Sequence, residues 1–285
     1  MGSPAGLLGL VAALSYGVGD FVGGALSRRL PALTLLVLGQ GAALLVLLPA
    51  STLVAGTPGA AALAWGAGAG VAGAAGSYCF LRGFATGRLG VVTPTASVTA
   101  AGLPVLVDLL RGVAVSRPAA IGIVLALVAV VLVGLPEPRR TGDHLPPGPS
   151  RRGVGWGLGA GAAHAVMYVL LGEAPTGSGL WPAVALFVVI VGVALAAAWL
   201  RGARLRLSPR QVPAVLTVGA LSAAGTVAYL LAAGAGSVGV AAVTTELSPV
   251  VTAVLARVLL AEPLPALRTL GLALAVVAGV LIGSG

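Results

Sequence analysis

The chain has 285 residues, of which 58% are hydrophobic and only 8% are charged, whereas a soluble domain is about a quarter charged. This composition excludes a water-soluble fold. All 16 basic residues are arginine, which excludes a Walker A loop and Schiff-base cofactors because both need lysine.

Apolar stretches long enough to cross a bilayer recur along the whole chain. Lipid-facing backbone must satisfy its own hydrogen bonds, so each stretch is predicted to be a helix. The ten predicted spans cover residues 5–26, 32–54, 60–82, 89–110, 118–135, 153–171, 181–200, 212–234, 238–260 and 264–283. Residues 136–152, rich in proline and charge, are predicted to be an exposed linker. The predicted fold class is all-α, integral membrane.

The arginines are divided unequally between the two sides of the predicted membrane. Only Arg111 and Arg117 lie in the loops after even-numbered spans, and the other 14 lie on the opposite side. By the positive-inside rule, that second side is predicted to be cytoplasmic and both termini external, in the plasma membrane. Tryptophans close to predicted helix ends fit an interfacial belt: Trp65, Trp156, Trp181 and Trp199.

The two halves of the sequence resemble one another. A shift of 149 residues superposes a long stretch without a gap, placing Gly70 on Gly219, Phe80 on Tyr229 and Gly122 on Gly271. This pattern predicts two five-helix repeats, residues 1–135 and 153–285, joined by the linker. Because five is an odd number, the second repeat is inverted relative to the first, as in many secondary transporters.

The second half also carries the pattern of a known family. Residues 239–262 read GVAAVTTELSPVVTAVLARVLLAE, and an apolar helix with Gly271 and Gly279 follows. This resembles the EamA domain of the drug/metabolite transporter superfamily, whose repeat has Ser-Pro near the middle of its fourth helix and Gly-Glu at that helix's end; the glycine is Ala261 here. The resemblance implies a ten-helix exporter or permease for small metabolites. It also implies a central cavity lined mainly by the first, third and fourth helices of each repeat.

Glycine patterns in the chain have two interpretations. A literal G-x-G-x-x-G occurs at residues 68–73 and 234–239, but neither follows a strand in a βαβ unit, which disfavours nucleotide binding. Runs such as Gly66–Gly70 and Gly153–Gly157–Gly161 are predicted instead to be faces where helices pack closely.

Ionisable residues within the predicted helices are the strongest functional signal, because a charge at the bilayer centre costs about 3 kcal/mol on insertion scales. Glu246 and His164 lie near the midpoints of the ninth and sixth spans, and Asp20 lies on the cytoplasmic side of the centre of the first. A structural role within the bundle is the alternative for each. Four residues are interpreted as solvated or snorkelling residues near helix ends: Arg82, Asp108, Glu173 and Arg257.

The predicted substrate site combines these groups with polar and aromatic neighbours. The shift of 149 residues pairs Glu246 with Ser97 and His164 with Ser15. The predicted substrate-binding residues are Ser15, Tyr16, Asp20, Ser77, Tyr78, Thr93, Ser97, His164, Tyr168, Thr226, Tyr229 and Glu246. Because the carboxylates outnumber the bases, we expect a neutral, zwitterionic or cationic substrate, with protons as the coupling ion.

Other function classes are less consistent with the sequence. The predicted helices contain no His-x-x-x-His pattern or paired aspartates for an enzyme, and a lone Cys79 cannot form an intramolecular disulfide or a cysteine zinc site. We therefore expect no catalytic residue, metal or cofactor, and no nucleic-acid partner. The expected partners are a small-molecule substrate, the lipid bilayer and protons. A passive channel or a structural membrane scaffold remains the alternative to a transporter.

Overall fold

The computed structural model describes residues 4–27, 29–86, 89–133, 135, 151–260 and 266–284. These residues form eleven α-helices and no strand. The helices are α1 (Pro4–Ser27), α2 (Ala32–Leu53), α3 (Ala60–Thr86), α4 (Leu89–Leu110), α5 (Arg117–Val133), α6 (Arg151–Gly172), α7 (Trp181–Leu200), α8 (Val212–Gly234), α9 (Val238–Thr245), α10 (Ser248–Leu260) and α11 (Ala266–Ser284). Residues 136–150 of the predicted linker lie outside the described part, and its last two residues begin α6.

Six segments are long and apolar enough to cross a membrane: Pro4–Ser27, Ala32–Leu53, Gly153–Gly172, Trp181–Leu200, Val212–Gly234 and Val238–Leu259. Helices α4, α5 and α11 contribute shorter apolar segments, and the 27-residue α3 is rich in glycine. Large apolar side chains such as Leu45, Val124 and Val276 point outward, as expected where lipid is the solvent. The chain is an all-helical, multi-pass membrane protein.

The predicted ninth span is divided into two helices. α9 ends at Thr245 and α10 begins at Ser248, with Glu246 and Leu247 in a turn between them. The physical reason is Pro249, which has no N–H to donate to the carbonyl of Thr245 and whose ring would clash with that carbonyl in a regular helix. The expected continuous helix over residues 238–260 is therefore corrected to a broken one, with Glu246 at the break.

The helices of the bundle approach one another closely at glycine residues. Gly70 of α3 lies so near α7 that an added Cβ would be 2.6 Å from the carbonyl oxygen of Leu186, and Gly157 of α6 has the carbonyl of Val92 on α4 at 2.9 Å. These contacts confirm the predicted small-residue packing faces. α1 packs mainly on α8, α9 and α10, while α6 packs mainly on α3 and α4. The two halves of the chain are thereby interleaved.

The loops gather at two ends of the bundle. At one end, called here the arginine-rich end, the guanidinium of Arg82 lies 5.9 Å from the ring centre of Trp156, and Arg201 donates to the Tyr78 hydroxyl at 2.9 Å. At the other, called the opposite end, the loop after α2 meets the loop after α6, where the Thr57 N–H donates to the Gly177 carbonyl at 3.2 Å.

Candidate functional site: a cavity between the two halves

A cavity of about 1150 Å³, including its mouth, lies between helices from both halves of the chain. α1, α2, α3 and α4 line it from the first half, and α6, α7, α8 and the α9–α10 break line it from the second. Lining residues reach Gly24, close to the end of α1, and Leu35, close to the start of α2. The cavity therefore extends toward the arginine-rich end.

Glu246 lies at the inner part of this cavity, held by protein donors. Its side chain is only 9% exposed. The Tyr168 hydroxyl donates to Glu246 Oε1 at 2.8 Å, and Ser97 forms a second side-chain hydrogen bond with Glu246. Behind Tyr168, the Tyr229 hydroxyl donates to the Tyr168 carbonyl at 2.9 Å, with the two rings 4.5 Å apart. The carboxyl group is thus fixed at the helix break by α4 and α6.

Tyr16 and Asp20 lie one turn apart on α1, so both side chains share the face that lines the cavity. The Tyr16 hydroxyl and Thr226 Oγ1 are hydrogen-bonded at 2.8 Å. Gly225 makes room for this ring, since an added Cβ would lie 2.9 Å from it. Asp20, in contrast, accepts no hydrogen bond from any residue that the structure describes.

His164 also lines the cavity, in close contact with α3. Its ring meets the Phe80 ring edge-on, with centroids 6.2 Å apart. Gly76 lies against it, and an added Cβ there would be 2.5 Å from His164 Cδ2. The histidine is therefore positioned by packing against Phe80 and Gly76.

The structure brings eight of the twelve predicted substrate-binding residues to the cavity: Tyr16, Asp20, Ser77, Ser97, His164, Tyr168, Thr226 and Glu246. The other four are not among its lining residues. Ser15 donates to the carbonyl of Val11, Tyr78 contacts Arg201, and Tyr229 is 0% exposed behind Tyr168. Thr93 is half-buried in α4.

Three polar residues of the cavity were missed by the sequence analysis: Gln40, Ser222 and Ser248. Gln40 was missed because the resemblance implied that α2 and α7 play little part in the lining, yet both contribute. A glutamine within an otherwise apolar span was the available signal. Ser222 lies one turn before Thr226 on α8, so helical spacing from Thr226 would have found it.

Asp108 was interpreted as a solvated residue near a helix end, and this interpretation is wrong. Its side chain is 3% exposed. Asp108 Oδ2 accepts hydrogen bonds from Ser237 Oγ at 2.5 Å and from the Gly239 N–H at 2.6 Å. These donors belong to the first turn of α9 and the residue before it, so Asp108 joins α4 to α9 at the opposite end.

Glu173, near the same end, is partly exposed, as predicted. It is 25% exposed and pairs with Arg111 at 2.5 Å. This hydrogen bond raises the pKa of the Arg111 guanidinium above its ordinary value. An ion pair this exposed contributes at most about 1 kcal/mol to stability. The buried hydrogen bonds of Asp108 therefore stabilise this end of the bundle more than the ion pair does.

Residues 151–284, which include the α9–α10 break, match the model of the EamA-like transporter family. The second half of the chain is therefore similar to this family. One solved structure, titled only as the crystal structure of a protein, matches with a TM-score of 0.72 and 16% sequence identity over 99% of this chain and 96% of that one. That likeness shows the fold alone. No match was found among curated proteins.

The residues that match the family model supply His164, Tyr168 and Glu246 to the cavity, and residues before them supply Tyr16 and Asp20. The cavity is therefore shared between the matched second half and the first half of the chain.

Proposed function

We propose that the chain is a secondary active transporter that carries a small neutral, zwitterionic or cationic molecule by alternating access. The observation that carries the proposal is the cavity between the two halves, because its lining contains the carboxyl groups of Asp20 and Glu246 and, within the described part of the chain, no arginine. A low-dielectric cavity disfavours an uncompensated carboxylate. Each carboxylate therefore favours a proton or a cationic group over an anion.

We propose that the architecture behind this function is two inverted five-helix repeats, residues 1–135 and 153–285. The aligned glycines support this architecture, because each makes from its own repeat the contact that its counterpart makes from the other. An added Cβ at Gly122 of α5 would lie 3.0 Å from the Ala278 carbonyl of α11, and at Gly271 of α11 it would lie 3.0 Å from the Ala129 carbonyl of α5. Likewise α3 packs on α6 and α7, while its proposed repeat mate α8 packs on α1 and α2.

The hydrogen bond between Ser97 and Glu246 supports the same arrangement. These two residues are repeat mates at the shift of 149 residues, and they contact one another. Two equivalent residues of the repeats can contact one another only where both lie next to the pseudo-two-fold axis that relates the repeats. In the proposed architecture this axis passes through the cavity, where transporters with inverted repeats place their substrate sites.

We propose that the cavity receives its substrate from the cytoplasm and that the protein exports it across the plasma membrane. The cavity extends toward the arginine-rich end, which the positive-inside rule places in the cytoplasm with both termini outside. At the opposite end, Asp108 holds α4 against α9. Release would require those contacts to open, with protons exchanged at Asp20 or Glu246 as the coupling step.

Reconstituted liposomes test the proposal. A pH gradient should drive accumulation of a labelled metabolite or drug above its external concentration, and a protonophore should remove that accumulation. A passive channel would equilibrate the label without concentrating it, and a structural scaffold would give no flux above protein-free liposomes. Either of these results, across a panel that includes cationic and zwitterionic compounds, would contradict secondary active transport.

A further inference from the structure

We infer that the cavity selects a primary ammonium ion with an apolar or aromatic body, and that Asp20 and Gln40 accept the hydrogen bonds of its ammonium group. This inference rests on the proposed function, which it makes more specific. It assigns different roles to the two carboxyl groups of the cavity, because only one of them already has protein partners.

The difference between the carboxyl groups is one of hydrogen bonding. Glu246 is bound by the hydroxyls of Tyr168 and Ser97. Asp20 lines the same cavity but accepts nothing from the residues that the structure describes. A carboxyl group in an apolar bundle is stable only with donors. Asp20, which is half-buried in the cavity wall, is therefore the carboxyl group free to accept donors from a ligand.

Gln40 supplies a second acceptor of the same kind. Its Oε1 atom is buried and has no hydrogen-bond partner among the residues that the structure describes, and because the side chain lines the cavity, a turn of the amide group brings this atom to a ligand. Asp20 lies seven residues before the end of α1 and Gln40 lies eight residues after the start of α2. At a rise of 1.5 Å per residue, both are about 10–12 Å from the arginine-rich end. The two acceptors thus lie at one depth of one cavity.

An ammonium group matches this arrangement better than other polar groups do. It offers three donors and no acceptor, so one group can satisfy both a carboxylate and an amide oxygen. A quaternary ammonium has the charge but no donor, and an alcohol has one donor but no charge. A primary amine should therefore bind more tightly than either analogue.

The remaining walls fit a hydrocarbon or aromatic body. The rings of Tyr16, Phe80, Tyr168 and Phe187 line the cavity together with Met167. Aromatic faces attract ammonium groups and bury apolar surface, and the methionine side chain adapts to ligands of different shape. The body of the ligand would lie between Asp20 and the inner part of the cavity at Glu246.

The test is equilibrium binding to the purified full chain in detergent, by calorimetry, with a matched series of probes. The series is 2-phenylethylamine, its trimethylammonium analogue and 2-phenylethanol, which differ only in the polar head. The variants are Asp20→Asn and Gln40→Leu. The control is Glu173→Gln, which also removes one carboxylate but lies outside the cavity. Thermal unfolding of each variant verifies that it is folded.

We expect the amine to bind the wild-type chain more tightly than either analogue, and Asp20→Asn to weaken it roughly tenfold to hundredfold, because asparagine keeps an acceptor oxygen but lacks the negative charge that strengthens its hydrogen bond to the ammonium group. Gln40→Leu should weaken it less, and Glu173→Gln not at all. Equal affinity for the amine and the alcohol in the wild-type chain would overturn the inference without any variant. So would equal affinity for the amine and its trimethyl analogue.

The binding and transport experiments can contradict the ammonium site and the transport function independently of one another. If the amine binds as expected but is never concentrated in liposomes, secondary active transport is contradicted and the ammonium site is supported. If the chain concentrates a neutral solute but binds the amine no more tightly than 2-phenylethanol, the transport function is supported and the ammonium site is overturned.

Discussion

A carboxyl group within a helical bundle needs donors from the protein, from a ligand or from water that enters a cavity, because its apolar surroundings offer none. The three acids Asp20, Asp108 and Glu246 illustrate different solutions. Asp108 has two donors from α9 and links two helices. Glu246 has two hydroxyl donors and lies on the cavity. Asp20 has neither, which makes it the most ligand-dependent of the three.

Replacing Glu246 with glutamine tests its part in coupling. The amide keeps the shape of the side chain and can still accept from Tyr168, but it cannot exchange a proton. We expect Glu246→Gln to abolish accumulation driven by a pH gradient in liposomes while the protein remains folded and inserted. The matched control, Glu173→Gln, should behave like the wild type. Wild-type rates and pH dependence in Glu246→Gln would contradict a coupling role.

Replacing Asp108 tests its role in joining α4 to α9. Alanine leaves the Ser237 hydroxyl and the Gly239 N–H without their acceptor at a buried site, a loss of about 1–3 kcal/mol of stability. We expect Asp108→Ala to lower the thermal unfolding midpoint in detergent clearly. Glu173→Ala breaks an exposed ion pair and should change stability by about 1 kcal/mol or less. Equal shifts for the two variants would show that Asp108 is not a structural link.

The composition of the cavity was only partly predictable at the level of residues. Buried charges such as Glu246 and Asp20 stand out in an apolar sequence, so they were found. Tyr229 was assigned to the lining because the sequence shows that it lies on a helix but not which neighbour that helix face meets. Gln40 stands out in the same way but was missed, because the resemblance implied little part for α2 and the packing of α2 beside α8 is visible only in the structure.

The break between α9 and α10 is the main feature at the level of elements. Pro249 frees the backbone around Glu246 from a regular helical ladder, and the Glu246 N–H still donates to Ala242 at 2.9 Å. An interrupted helix exposes backbone groups near a binding site, as in other transporters. The break thus sets the direction of the Glu246 side chain.

Substituting Pro249 with alanine should restore the missing N–H and allow α9 and α10 to become continuous. Since proline costs about 3 kcal/mol relative to alanine in a helix interior, we expect no fall in the thermal unfolding midpoint. Transport should fall, because Glu246 turns with the backbone. The control is Pro49→Ala, at a proline within α2 that is exposed and away from the cavity. Unchanged transport in Pro249→Ala would show that transport does not need the break between α9 and α10.

A pair of glycines on α6 tests close packing. An added Cβ at Gly161 would lie 2.6 Å from Thr99 Cβ of α4, whereas Gly155 has nothing within 4 Å. Overpacking costs about 1–3 kcal/mol, so Gly161→Ala should lower the unfolding midpoint. Gly155→Ala should leave the midpoint unchanged or raise it, with a gain of up to about 1 kcal/mol in the free energy of unfolding, because alanine favours helix. Destabilisation by Gly155→Ala alone would contradict the packing described for this helix.

Most elements could be predicted because membrane crossings have a strong sequence signal. The predicted span 212–234 agrees with α8, Val212–Gly234. α3 extends beyond its predicted end at residue 82 to Thr86, because arginine favours helix and its long side chain can reach the interface. The break at Glu246 was missed although Pro249 and the polar residues before it interrupt the apolar run, because the span was predicted from its length and mean hydropathy.

At the scale of the whole molecule, the packing of the helices indicates how the cavity could be exposed alternately. Tight contacts at Gly70 and Gly157 let helices approach without interlocking side chains. Asp108 secures only the opposite end. In the proposed mechanism, rocking of the two interleaved repeats would open that end as the arginine-rich end closes.

The proposed direction of transport rests on the predicted orientation of the chain, and reporter fusions test that orientation. The prediction rests on the 14 to 2 division of arginines between the two sides, and each basic residue on the wrong side would have to cross the bilayer during insertion. A fusion after Arg152 should give a cytoplasmic signal, and a fusion after Gly285 an external one. Two reporters are fused at each site, one active only in the cytoplasm and the other active only outside, so that each serves as the control for the other. A cytoplasmic signal after Gly285 would reverse the orientation, place the cavity mouth outside and turn the proposed exporter into an importer.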